Sequence, residues 1–323
     1  MIRDIQGIVE LASAFYGSAT LFAAIDSGLF EKVESGAAIG AGKGERLLAD
    51  ACVALGLLEK DASGAYSNTA AGRLALLSGA PADLTGAIRY NRDVYPAWGR
   101  LSQFVVTGRP VEKPSLHLGG DASRTRVFAE SMFSRAMGIG RGVVPMLGRL
   151  EGRLLDLAGG PAAYAILACR ANPGLSVATL DLAPISAFAR EKVAEAGLAG
   201  RIECVAGDYR ESPAAAGEFD YATIFGALHQ ESPASIKTIL ANAAAALKPG
   251  GTLFVLDMMT DSTRTNPPFS ALFALNMALT ADDGWVFSDA ELKEWMRGAG
   301  FEPGETRAAP PPMPHWLVVA RKP

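Results

Sequence analysis

The sequence predicts an α/β protein, with a Rossmann-like, mostly parallel sheet domain over residues 111–323 behind a mostly helical domain over residues 1–110. Three observations lead there. Apolar strand candidates at 153–157, 176–180, 202–205, 220–225, 252–257 and 315–320 alternate with helical stretches at 184–197, 233–247 and 288–299. That alternation builds a sheet covered by helices on both faces. Leu154-Leu155-Asp156-Leu157 runs straight into Ala158-Gly159-Gly160 and then Pro161-Ala162-Ala163-Tyr164, which reads as a strand, a glycine turn and a helix start. Finally, Thr179-Leu180-Asp181 ends the next strand in a carboxylate about 20 residues beyond the turn, where a ribose diol would find its acceptor.

The N-terminal elements follow from periodicity. Ile5, Ile8, Val9, Ala12, Phe15, Tyr16, Ala19, Phe22, Ala23 and Leu29 recur at helical spacing over residues 5–30. A glycine-rich break at 36–42 precedes a second helix through Leu47, Leu48, Ala51, Cys52 and Leu55, which stops at Gly56. Leu57 to Lys60 and Asp61 to Ser67 form a hairpin around Ser63-Gly64. Helix, helix and hairpin outline a winged helix. A groove-reading helix needs outward Arg, Lys or amide side chains, whereas the one before the hairpin offers mostly Leu, Ala and Val. Packing or dimerisation is therefore the expected role. Residues 81–150 read as helical, with Trp98, Leu101 and Phe104 on one face, a crossing at Arg109-Pro110-Val111 and Pro114, and a helix from Phe128 to Met146. Ala308 to Pro312 reads as a short stiff loop.

Composition narrows the function classes. A net charge of −4 gives no electrostatic case for nucleic acid. The three cysteines, Cys52, Cys169 and Cys204, lack metal spacing and sit among apolar residues, which fits reduced thiols in the cytoplasm. The three histidines, His117, His229 and His315, are too dispersed for a zinc or iron cluster, so no metal is expected. Asp4, Gln6, Glu10 and Ser13 interrupt the N-terminal apolar run, and no membrane partner is expected.

The strand ends carry the candidate chemistry. A dinucleotide fingerprint needs G-x-G-x-x-G, but the turn reads Ala158-Gly159-Gly160-Pro161-Ala162-Ala163, and Pro161 removes an amide where a pyrophosphate would want a donor. NAD is therefore disfavoured, and S-adenosylmethionine, which has no phosphate, tolerates the loss. Asp181 serves either as ribose acceptor or as a helix N-cap. Asp208, after Gly207 and beside Tyr209, either accepts from an exocyclic adenine amine or closes a turn. His229 ends the apolar run Tyr221 to Leu228, at the sheet edge where ligands bind, and its near-neutral reference pKa suits proton removal; a structural histidine is the other reading. Asp257, ending Thr252 to Leu256, lies on the same edge and could fix the imidazole tautomer or cap a turn. Lys248-Pro249-Gly250-Gly251 is a tight turn. Trp98, Met132, Phe133, Met137, Phe269, Phe273, Asn276, Met277 and Trp285 are core at helical spacing, or in part the wall of an apolar pocket for a flat acceptor.

With these residues placed, the chain resembles the S-adenosylmethionine-dependent O-methyltransferases with an N-terminal winged-helix dimerisation domain. That group contains plant caffeate and acetylserotonin enzymes and bacterial natural-product relatives. The resemblance runs through Tyr66-Ser67-Asn68-Thr69, Trp98-Gly99-Arg100-Leu101, Phe128 to Met132, the glycine turn, Leu180-Asp181-Leu182 and Gly207-Asp208. It continues in Ala227-Leu228-His229, Leu247 to Gly251 and Gly298-Ala299-Gly300-Phe301. It implies a class I methyltransferase sheet, a homodimer formed through the N-terminal domain, and transfer of a methyl group to a small-molecule acceptor, expected at a hydroxyl. Asp156, Gly159, Gly160, Tyr164, Asp181, Leu182, Gly207, Asp208 and Tyr209 would hold the cofactor. His229 would be the general base, with Asp257 where plant members place a glutamate that orients it. Trp98, Met132, Phe133, Phe273 and Met277 would line the acceptor pocket. The chain departs from the family pattern at Ala158 and Ala162, where glycine is usual. It also carries His229-Gln230-Glu231 in place of His-Asp-Trp, and Val286 at the second glutamate. The alternatives are a relative that methylates sulfur, nitrogen or carbon, one that uses the cofactor for other chemistry, and a winged-helix ligand-sensing regulator.

Overall fold

Local sequence signals set most of the element boundaries. The computed structural model describes residues 4–40, 42–112, 119–211, 216–311 and 313–323; Pro114, His117 and Pro312 lie outside them. The N-terminal apolar stretch forms three helices rather than one: α1 (Ile5–Ser13), α2 (Phe15–Asp26) and α3 (Leu29–Glu34). Asp4 caps α1 by accepting from the Gly7 N–H, and Gly28 breaks the run before α3 at φ +65°. α4 (Lys43–Ala54) ends before Gly56 and leads into a two-stranded antiparallel hairpin, β1 (Leu58–Lys60) and β2 (Tyr66–Asn68). Then come α5 (Ala70–Ala75), α6 (Thr85–Trp98), α7 (Leu101–Thr107) and the long α8 (Ala122–Val143). One stretch among the described residues, Ile5–Asp26, is long and apolar enough by length and composition to cross a membrane, although α1 and α2 divide it at Ala14.

The chain divides into two compact units, Met1–Tyr95 and Pro96–Pro323, so the boundary falls inside α6 rather than at residue 110. In the first unit Ala24, Ile25, Leu29, Phe30, Val33, Ala49, Cys52 and Leu58 form the core.

The second unit is built on β3 (Gly152–Leu157), α9 (Ala163–Ala171), β4 (Leu175–Asp181), α10 (Ala183–Glu195), β5 (Ile202–Ala206), β6 (Phe219–Phe225) and α11 (Pro233–Ala246). β7 (Leu247–Asp257), α12 (Pro268–Thr280), α13 (Asp289–Gly298), β8 (Glu302–Ala308) and β9 (Trp316–Arg321) complete it. The seven strands run in the order β5-β4-β3-β6-β7-β9-β8. The pairs from β5 to β7 are parallel, while β9 is antiparallel to both β7 and β8. The sequence pattern missed β8, an exposed edge strand containing Pro303 and Gly304, residues that depress strand propensity. One apolar layer, with Leu155, Ile224, Ile236, Leu240, Val255 and Phe287, packs α11 and α13 on the sheet. The other, with Leu154, Ile166, Val177, Phe254 and Leu256, packs the opposite face. The chain winds outward from β3 through β4 to β5, then returns to β6 on the other side of β3. The carboxyl ends of β3 and β6 therefore flank the topological switch point, where open α/β sheets bind ligands.

Candidate active site

The glycine turn after β3 rests on a buried polar floor. Asp156 is 1% exposed and Oδ1 accepts the Thr223 hydroxyl from β6 at 2.7 Å. Asp156 Oδ2 and Thr179 Oγ1 are buried without a hydrogen-bond partner. Both face Gly159, where an added Cβ would collide with Thr179 Oγ1 and lie 2.6 Å from Asp156 Oδ2. Burial pushes the Asp156 carboxyl up to about 7, against the pull of the Thr223 hydrogen bond. Asp156 thus sits beneath the turn and supports it.

Asp181 ends β4 and braces the same turn. Its Oδ2 accepts the Gly160 N–H at 2.8 Å and its Oδ1 accepts the Leu182 N–H at 2.7 Å. A carboxylate has about four acceptor positions, so the two that remain suit a vicinal diol. Burial raises its pKa, offset by those two backbone donors. Gly207 donates its N–H to the Asp181 carbonyl at 3.0 Å, which holds the β4 and β5 ends together. Asp208 is gripped by Arg210, whose Nη2 donates to Oδ2 at 2.7 Å, and this fork lowers the carboxyl pKa. Tyr209 donates its hydroxyl to Glu231 Oε1 at 2.5 Å, and burial raises the phenol pKa. Tyr164, in the first turn of α9, stands edge-on to Phe225 at 5.1 Å and against the Gly140 position of α8.

Three carboxylates therefore cap three adjacent strands around a glycine turn at a helix start. The two acceptor positions left on Asp181 suit a vicinal diol and the half-buried Asp208 beside them suits an exocyclic amine, so the residues fit S-adenosylmethionine.

Across the switch point, Gly226 (φ +66°) turns the chain out of β6 into a short 3-10 turn, Leu228–Gln230. His229 on that turn is 7% exposed and Asp257, at the end of β7, is fully buried. His229 Nδ1 lies 2.6 Å from Asp257 Oδ1, and the Met258 N–H donates to that same oxygen at 2.7 Å. The His229 N–H donates to Oδ2 at 3.3 Å. An ionised Asp257 can only accept, so Nδ1 carries the proton and Nε2 keeps a free lone pair.

The residues expected to line a pocket separate into two groups. Phe273 on α12 stands edge-on to the His229 ring at 5.1 Å. Met277 packs with Phe273, Met258 and Val286, and Trp98 Nε1 donates to Asn276 Oδ1 on α12 at 2.8 Å. Phe133 packs with Ile185 and Phe188 of α10, with Lys192 Nζ 5.6 Å from its ring centroid. Met132 is half-buried on the same helix, α8.

The sequence did not single out Glu231 or His315 for this edge. Glu231 is 5% exposed, and an acid two places after a strand-end histidine is the signal that marks it. His315 arrives only through register: the antiparallel pairing of Trp316 with Asp257 places it beside the dyad. It is buried, its Nδ1 has no hydrogen-bond partner, and burial with the Arg135 charge pushes its pKa down to about 4. Among the described residues no His, Cys, Asp and Glu cluster could hold a metal ion.

An O-methyltransferase domain model matches residues 115–302. The 3-hydroxy-5-methyl-1-naphthoate 3-O-methyltransferase of Streptomyces sahachiroi is 33% identical over 308 residues, spanning 91% of this chain and 88% of that protein. The tetracenomycin polyketide synthesis 8-O-methyl transferase TcmO of Streptomyces glaucescens is 30% identical, spanning 100% of this chain and 98% of the relative. Human N-acetylserotonin methyltransferase, solved in complex with S-adenosylmethionine, shares the fold with a TM-score of 0.85 at 22% identity, over 99% of this chain and 98% of that one.

Proposed function

The chain belongs to the O-methyltransferase family and is an S-adenosylmethionine-dependent methyltransferase acting on a small molecule; from that premise we propose that its acceptor is a hydroxyl on a flat aromatic ring and that His229 is the general base. The His229 Nδ1 to Asp257 Oδ1 contact of 2.6 Å carries this reading, because it leaves Nε2 as the only lone pair of the imidazole. The naphthoate and polyketide acceptors named for the two relatives support an aromatic substrate. The Phe273 ring beside His229 supports it too.

When bound, S-adenosylmethionine supplies an electrophilic methyl group on a sulfonium. Asp181 would accept from the ribose hydroxyls, Asp208 from the adenine amine after sharing Arg210, and Tyr209 would line the adenine. The Gly159-Gly160 turn, supported from beneath by Asp156, would hold the methionine end against the acceptor, since alignment at ~3–3.5 Å supplies much of such a reaction's rate. His229 Nε2 would take the hydroxyl proton as the acceptor oxygen displaces sulfur from the methyl group, the sulfur leaving as the thioether of S-adenosylhomocysteine. Asp257 would stabilise the resulting imidazolium.

The N-terminal unit would serve as a winged-helix dimerisation domain. Ile5 (80%), Ile8 (60%), Leu11 (63%) and Tyr16 (64%) are exposed there, an apolar surface of the kind partners cover. Free cysteines support a reducing, cytoplasmic setting. The test is His229→Ala, assayed for methylated product against a panel of hydroxyarenes. Turnover is expected to fall ~10²–10⁴-fold with S-adenosylhomocysteine affinity kept. Unchanged turnover would refute base catalysis by His229.

A further inference from the structure

The turn carrying His229 is fastened by two residues outside it. Trp285 donates its backbone N–H to the His229 carbonyl at 2.9 Å and its indole N–H to the Glu231 carbonyl at 2.8 Å, so one residue brackets Gln230. Trp285 is itself braced: its ring lies 6.2 Å from Phe287 and 6.1 Å from Trp295, with the Arg264 guanidinium 5.4 Å from the centroid. The second fastening is the Glu231 carboxylate. At 5% exposure it needs a strong partner, and the Tyr209 hydroxyl provides one at 2.5 Å. Tyr209 follows β5 directly after Asp208, and Glu231 stands two places after the base. A single charge-assisted hydrogen bond therefore joins the residues expected to hold adenine to the residue expected to take the proton.

We propose that Glu231 is a positioning residue that ties the Tyr209 ring of the cofactor pocket to the turn bearing His229, so that filling the pocket fixes the base. The inference rests on the reading that Tyr209 lines the cofactor site. In place of the family's tryptophan at this position, the chain uses a buried carboxylate, and Trp285 supplies an indole from another segment.

The probe is S-adenosylhomocysteine, which requires no knowledge of the acceptor. Calorimetry gives its affinity, and nitrogen–proton correlation spectra report the imidazoles. The chain has only three histidines, and the His229 signals are the ones lost in His229→Ala. In the parent protein the ligand should shift the His229 ring signals. Glu231→Leu and Tyr209→Phe should each weaken binding by ~10-fold and abolish that shift. Glu231→Gln, whose amide oxygen still accepts from the phenol, should stay within ~3-fold of the parent and retain the shift. The double variant Tyr209→Phe with Glu231→Leu should lose no more than the worse single one, as expected for two ends of one contact. Circular dichroism checks folding; should Glu231→Leu be unfolded, Tyr209→Phe, which removes one hydroxyl, decides. Parent-like binding with a parent-like His229 shift in Tyr209→Phe overturns the proposal, as do multiplying effects in the double variant. A parent that does not bind S-adenosylhomocysteine overturns the cofactor reading and this inference together; a parent that binds beside unaffected variants overturns this inference alone.

Discussion

Replacing Asp257 with asparagine separates what its charge does from what its position does. The carboxylate accepts three N–H groups: Oδ1 from His229 Nδ1 at 2.6 Å and Met258 N at 2.7 Å, and Oδ2 from the His229 backbone at 3.3 Å. An asparagine that leaves its oxygen at the Oδ1 position keeps the two short contacts. Its amide nitrogen then faces only the longer one. The flipped rotamer would set donors against both short contacts, so the first is preferred and the Nδ1–H tautomer survives. What disappears is the charge that stabilises the imidazolium formed during transfer. A hydrogen bond to a charged group contributes about 1.5–3 kcal/mol and a neutral one about 0.5–1.5 kcal/mol. The difference, ~1–2 kcal/mol, corresponds to a ~5–30-fold fall in kcat.

Asp257→Ala removes all three acceptors and should approach the ~10²–10⁴-fold loss of His229→Ala. The assay is mass-spectrometric detection of methylated product at saturating S-adenosylmethionine, with calorimetry verifying that S-adenosylhomocysteine affinity stays within ~2-fold. Because Asp257 acts through His229, adding Asp257→Asn to His229→Ala should cost nothing further. Parent-like turnover in Asp257→Asn, or a double variant slower than His229→Ala by the full Asp257→Asn factor, would refute the reasoning.

Gly159→Ala should lower Tm by ~2–8 °C and impair S-adenosylhomocysteine binding, since its methyl group would run into Thr179 Oγ1 and crowd Asp156 Oδ2; scanning calorimetry with and without ligand checks both. Burial raises the Asp156 carboxyl from 3.8 to about 7, so the folded chain keeps a proton that the unfolded chain has released. That contribution to stability is complete below about pH 4 and is lost as pH rises through about 7. Asp156→Asn should therefore lose less Tm than the parent between pH 5 and pH 8, and parallel Tm curves would contradict the assignment. Ile8→Asp combined with Phe15→Asp, both on the exposed apolar surface of α1 and α2, should convert a dimer to a folded monomer in sedimentation velocity; a parent that sediments as a monomer ends the dimer proposal.

What the sequence revealed and what it hid follow a physical division. The six strand candidates, the glycine turn and the strand-end residues Asp181, His229 and Asp257 are local: each depends on a short pattern whose spatial place follows from the α/β rule. β8 was hidden because an edge strand buries little, and Pro303 and Gly304 are tolerated there. The breaks between α1, α2 and α3 leave the apolar spacing intact, so periodicity did not show them. Helical spacing shows that Phe133 lies on an apolar face without saying which neighbour that face meets; in the fold it packs against Ile185 and Phe188 of α10. His315 and the Tyr209–Glu231 pair depend on strand register and on residues far apart in sequence. No single-segment pattern encodes either.

The two alanines that replace glycine in the turn show how such a departure is accommodated. Ala158 adopts φ +53° and Ala162 φ +63°, on either side of Gly160 at φ +56°, so the chain keeps a glycine backbone with L side chains in it. Left-handed backbone costs an L residue roughly 1–2 kcal/mol. Glycine would remove that cost while adding about 0.4–1 kcal/mol of unfolded-chain entropy, and it would forfeit up to ~0.8 kcal/mol for a buried methyl group. Ala162 is fully buried in the core beneath the sheet, so these terms nearly cancel there. Ala158 is only partly buried, and its methyl group returns less. Ala158→Gly should therefore stabilise the protein by ~0.5 kcal/mol, and Ala162→Gly should lie within ~0.5 kcal/mol of the parent, by the balance of the same terms. Urea unfolding with unchanged m-values measures both. A loss above ~1 kcal/mol in Ala158→Gly would mean that its methyl group packs more tightly than its exposure indicates, and that the turn is not strained at that position.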